Sequence, residues 1–116
     1  MKFFDHSDEE IISIAEPIME SLKEGTNKNN YDIFSKYFSS KMFDLVDKKR
    51  FTEQTEKNVP IFGKLSAQTI LGCVRREFGV TVIYRQNTMK KKGELVGQVS
   101  LDNENGEFKV INAGLF

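Results

Sequence analysis

Apolar residues along this chain keep two rhythms, a helical one up to about Phe62 and strict alternation from Leu65 onward. Ser7-Asp8-Glu9-Glu10 has the form of a capping box, and its three acids suit the positive end of a helix dipole. Ile11, Ile14, Ala15, Ile18 and Leu22 follow at helical spacing, with Ile12 and Met19 widening the stripe. Gly25 is expected to stop this helix. Pro17 removes a backbone donor and crowds the carbonyl of Ser13, which predicts a kink. Residues 26–30 (TNKNN) form a polar turn in which Asn30 can cap a second helix carrying Ile33, Phe34, Tyr37 and Phe38. Ser39-Ser40 breaks that run, and a short segment with Met42, Phe43, Leu45 and Val46 follows. Asp47 can cap a third helix with a stripe of Phe51, Thr55 and Val59 or Phe62. Val59 precedes Pro60, so regular helix is expected to end near Asn58.

In the second half, Gln68, Ile70, Gly72 and Val74 alternate with Thr69, Leu71, Cys73 and Arg75. After a turn near Phe78-Gly79 comes Val80-Thr81-Val82-Ile83-Tyr84, rich in β-branched and aromatic residues. Lys90-Lys91-Lys92-Gly93 reads as a hairpin tip. Leu95, Gly97, Val99 and Leu101 alternate through a third strand, and an Asn105-Gly106 step turns the chain into a fourth with Phe108, Val110 and Asn112 on one side. Helices before a meander of four strands predict one α+β domain over residues 1–116, helical over about 7–62 and stranded over about 65–115.

Composition narrows the function classes. Seventeen Lys and Arg balance seventeen Asp and Glu. A dedicated nucleic-acid binder carries a basic excess, and so does a protein held to an anionic membrane by bulk charge, so neither partner is expected. Cys73 is the single cysteine, which excludes an intramolecular disulfide. The start, Met1 to Asp5, lacks an apolar stretch of signal-peptide length. A cytoplasmic protein is expected, or an exported one if a leader has been removed.

The order of elements resembles the nuclear transport factor 2-like superfamily of cystatin-like α+β rolls. Within it the chain looks most like the small bacterial domains without an assigned function. The likeness lies in three places: Asn30 to Phe38 (NYDIFSKYF) after the first helix, Phe62-Gly63-Lys64-Leu65 at the helix-to-sheet junction, and the last hairpin from Val99-Ser100-Leu101-Asp102 to Gly106-Glu107-Phe108-Lys109-Val110. The resemblance implies N-terminal helices packed on a curved four-stranded antiparallel sheet whose concave face holds a pocket. It also implies a pairing of sheets into a homodimer.

Strand parity picks out the candidate residues. If Phe108 and Val110 face the helices, so do Val99, Leu101, Val80, Val82, Ile70 and Val74, and with them the polar Gln68, Tyr84, Gln86, Thr88 and Asn112. Those five are the candidate pocket residues, suited to orienting a small apolar ligand by hydrogen bonds; strand-end amides satisfied within the fold are the structural alternative. The opposite face carries Leu71, Cys73, Ile83, Val96, Ile111 and Leu115, too apolar for open solvent, and Leu71, Ile83, Val96 and Ile111 are the candidate dimer face or protein-partner surface.

Chemistry of the ketosteroid isomerase or polyketide cyclase type is the alternative, and it needs a carboxylate base in the pocket. Asp102, Glu77, Glu94, Glu104 and Glu107 all fall at or beside expected turns, so an enzyme here would use Tyr84 with an acid or His6 brought in from the helical half. His6 is otherwise expected at the surface and Cys73 as a buried, inert residue. One His and one Cys do not make up a zinc site, and no phosphate-binding glycine loop is present, so neither metal nor cofactor is expected. The lysines at 90–92 read as a solvated tip.

Overall fold

The structure, a computed structural model, describes residues 5–116. The expected absence of a leader rests in part on residues 1–4, which lie outside them. Four helices, α1 (Asp8–Lys28), α2 (Tyr31–Phe34), α3 (Ser40–Leu45) and α4 (Lys48–Phe62), precede four strands, β1 (Leu65–Arg76), β2 (Gly79–Thr88), β3 (Leu95–Glu104) and β4 (Glu107–Leu115). The strands form a curved antiparallel sheet in the order β1-β2-β3-β4, and the helices pack on its concave face as a cystatin-like roll.

Each helix begins where a side chain can take up an orphan backbone donor. Ser7 and Glu10 close the capping box, and Asn30, Ser39 and Asp47 accept from the third residue of α2, α3 and α4. Three expected helix boundaries are corrected. α1 does not stop at Gly25: it runs to Lys28 and ends in a Schellman motif, with Asn29 left-handed at φ 50°, Asn30 N donating to Gly25 O and Asn29 N to Thr26 O. α4 passes through Pro60 to Phe62, because Pro60 sits in an exposed last turn, where few backbone bonds remain to lose. The second helix is one turn only. Beyond it Phe38 is extended and forms a parallel bridge with Val110, through Val110 N to Tyr37 O (2.7 Å) and Ser39 N to Val110 O (2.9 Å). This bridge covers part of the outer edge of β4. Pro17 lies in unbroken helix on the solvent side, and Ser13, whose carbonyl it deprives of a donor, is exposed as well.

Ile11, Ala15, Ile18, Met19 and Leu22 of α1 lie against Val80, Val82, Val99, Leu101 and Val110 of the sheet, all fully or almost fully buried. Complete burial of a Val, Leu, Ile or Met side chain contributes roughly 1.5–3 kcal/mol. Phe34 joins α2 to α4 and to the bridging segment, its ring centroid 4.6 Å from that of Phe51 and 5.4 Å from that of Phe38.

Bulges revise the strand parity. Ile70 pairs with Tyr84 and Gly72 with Ile83, which leaves Leu71 as an extra residue. Beyond that point Cys73, paired with Val82, faces the helices, and Val74 faces out, half exposed. In β4 Asn112 pairs with Ser100 and Val110 with Leu101, so Ile111 is the extra residue. Beyond it Ala113 packs into the core and Leu115 shares its parity. The expected inward position of Val74 and the expected outward positions of Cys73 and Leu115 are therefore reversed.

Candidate functional site

The five polar residues assigned to the concave face do not form one group. Gln86 is completely buried, and its Nε2 donates to the carbonyls of Asn87 (2.9 Å), Ser66 and Ala67 (3.3 Å each). Gln68 Nε2 donates to Gln86 Oε1 at 2.8 Å. The register shifts between Leu65 and Gln68, so Gln86 serves carbonyls at an irregular stretch of β1. These two amides are engaged with the strand and with each other. Thr88 is half-buried near the end of β2, where its Oγ1 accepts from Lys91 N. Asn112 is exposed, its Oδ1 turned to Ala113 N, and the bulge at Ile111 places it on the face opposite Tyr84.

Tyr84 is buried, with its ring over Gly97 of the neighbouring strand. Burial alone pushes its hydroxyl up to about 12 from the usual 10.0, and no carboxylate contributes. The folded state therefore holds this proton between pH 10 and 12 while the unfolded state has released it, so stability falls as pH rises through that window. A displacement of this size corresponds to roughly 2–3 kcal/mol. Urea unfolding at about pH 9 and about pH 11.5 is expected to show a loss that Tyr84→Phe reduces; an identical loss in the variant would refute the assignment.

A second polar group gathers at the start of α1. Sequence spacing does not reveal it, because β1 lies so far along the chain. The His6 side chain is 11 % exposed, its ring 5.5 Å from that of Phe108, and Glu10 Oε2 stands 3.5 Å from Nδ1. Among the described residues neither ring nitrogen has a hydrogen-bond partner, and neither has Nδ2 of Asn103, the cross-strand neighbour of Phe108. The expected surface histidine is thus largely buried. Arg75 Nη1 reaches Asp8 Oδ1 at 2.6 Å and Nη2 reaches His6 O at 2.6 Å. That guanidinium, and then the Cys73 thiol, hold the Asp8 carboxyl below its usual range. Hydrogen bonds from Ser7 do the same for Glu10. The Cys73 thiol is raised, first by burial and then by the neighbouring Asp8 carboxylate, the reverse of what a nucleophilic thiolate needs.

Two concavities lie away from Tyr84. One, of about 450 Å³, is an open depression lined by His6, Ser7, Glu9, Glu10, Ser13 and Ile14. The other, about 200 Å³, lies between the end of α4 and the β2–β3 hairpin and includes Thr88. Neither is lined by Gln68, Tyr84 or Gln86. Among the described residues no cluster of three metal-binding side chains is present. No helix among them is long and apolar enough to cross a membrane.

The convex face of the sheet has a different character. Leu71, Val74 and Val96 are each more than half exposed around a half-buried Ile83, and Ile111 is half-buried toward β4. Arg85 and Glu94, 4.0 Å apart, stand near one end.

No family model and no curated protein matches the sequence. The fold is similar to that of Bdellovibrio bacteriovorus Bd1075. The two superpose with a TM-score of 0.51 over 84% of this chain and 37% of that one, at 11% sequence identity. The chain thus spans little more than a third of that protein, and the likeness is one of fold.

Proposed function

We propose that residues 1–116 form a single non-catalytic interaction domain of the nuclear transport factor 2-like kind, and that it works as a homodimer through the convex face of its sheet. The observation that carries this reading is the contrast between the two faces. On the concave side the amides of Gln68 and Gln86 are spent within the sheet, and helical side chains fill the space above the strands. On the convex side Leu71, Val74 and Val96 stand open around Ile83. Apolar surface of this kind, rimmed by polar residues, is what association removes from water.

The pocket-enzyme alternative has less support. Burial alone raises Tyr84, without a carboxylate to act as the base of an enolisation. The raised Cys73 thiol is a poor nucleophile.

Native mass spectrometry of the purified chain is expected to show a dimer. Val96→Asp and Leu71→Asp, both at exposed positions, are expected to give monomers with unchanged far-ultraviolet circular dichroism. A wild-type protein that is monomeric at micromolar concentration, or variants that remain dimeric, would remove the convex face as the interface. Bound non-covalent mass on the wild type would instead favour a ligand pocket.

A further inference from the structure

We propose that the notch between the end of α4 and the β2–β3 hairpin is a docking site for an acidic peptide segment carrying one hydrophobic anchor residue. The notch has apolar lining from Ile61, Phe62 and Leu95 and is flanked by Lys91 and Lys92. Its volume, about 200 Å³, is below the roughly 300–1,000 Å³ of a small-molecule pocket. Val59 of α4 and Met89 next to Thr88, close by in sequence, are exposed apolar residues as well. A shallow notch of this size, with apolar lining, suits a single side chain of an extended partner better than an enclosed small ligand.

Charge selects the kind of partner. The chain is neutral overall, yet Lys64, Lys90, Lys91 and Lys92 crowd this corner, and none of them is in an ion pair among the described residues. The one acid lining the notch, Glu94, is turned toward Arg85. Lys90 has structural work: its backbone N donates to Phe62 O at 3.0 Å and its Nζ to Pro60 O at 3.4 Å, where the negative end of the α4 dipole lies. The side chains of Lys91 and Lys92 hold nothing comparable. Exposed like charges this close together raise the local potential, and an acidic segment lowers it while its anchor covers Ile61 and Leu95.

The probe is a fluorescein-labelled synthetic peptide of alternating Asp and Glu with one central Phe, followed by fluorescence anisotropy at low salt. Binding is expected to weaken as salt is raised through the range in which exposed charges are screened, and to fall by roughly tenfold or more in Lys91→Glu/Lys92→Glu. A peptide with Ser in place of Phe, and the protein variant Ile61→Ser, are each expected to lose a comparable share. Ile61 is 45% exposed and outside the core, so this variant is expected to keep the fold, which its thermal midpoint checks. Absence of binding overturns the proposal. So does equal binding of the Ser peptide, which reduces the site to bulk charge, and so does binding to phosphatidylserine vesicles without binding to the peptide, which makes the partner a membrane.

Discussion

Gly25→Ala is expected to destabilise the protein by about 3 kcal/mol or more, although the residue lies inside a helix. At an exposed helical position the same change would gain about 1 kcal/mol from propensity alone. Here the added Cβ would fall against the backbone N and Cα of Phe34, closer than any real contact. That neighbour is main chain, so no rotamer change relieves the overlap. α1 and α2 would have to separate, weakening the bond from Ser21 Oγ to Ile33 O (2.6 Å) and disturbing the tilted contact of the Phe34 and Phe51 rings. Chemical denaturation of the variant beside wild type measures the loss. A midpoint at or above that of wild type would mean that the two helices do not pack this closely.

The second large effect belongs to Gly97. An alanine there would drive its methyl into the Tyr84 ring, which is buried. Overpacking of this kind costs roughly 1–3 kcal/mol and occasionally more. Because the obstacle is a side chain, it can be removed. In Tyr84→Val/Gly97→Ala the added methyl has room, so the Gly97 substitution is expected to cost much less in the Tyr84→Val background than in wild type. The coupling between the two sites, read from a double-mutant cycle of urea midpoints, is expected to exceed roughly 1 kcal/mol. Additive effects would show that the ring does not lie on Gly97.

Both cases mark what one-dimensional reading misses. Gly25 looks like a helix stop, because glycine is the commonest residue just past a C-terminus. The left-handed cap is instead Asn29, whose side chain tolerates positive φ, and the glycine is needed for an approach between helices that no local pattern records. At Asn105-Gly106 local chemistry sufficed. Both residues adopt positive φ, 54° and 86°, as a two-residue hairpin turn requires, and the expected turn is there.

The candidate residues divide in the same way. Parity placed Tyr84, Gln86, Val82 and Val99 on the buried face because β2 and β3 pair without interruption. It misplaced Cys73, Val74, Asn112 and Leu115 because β1 and β4 each carry a bulge, and one extra residue exchanges the faces of everything beyond it. The environment of His6 was equally illegible. Arg75 and Phe108, which meet it, lie far along the chain, and only closure of the helices onto the sheet brings them together.

Local energetics written in short segments therefore determined the caps at Ser7, Asn30 and Asp47, the change from helical to alternating rhythm, the hairpin turns and most of the core of this roll. Tertiary structure alone decided the bulges, the Phe38–Val110 bridge, the close approach at Gly25 and the engagement of Gln86 with β1 carbonyls. Each of these depends on which distant backbone lies alongside. That is settled by the summed packing of whole elements, a quantity that no window of neighbouring residues contains.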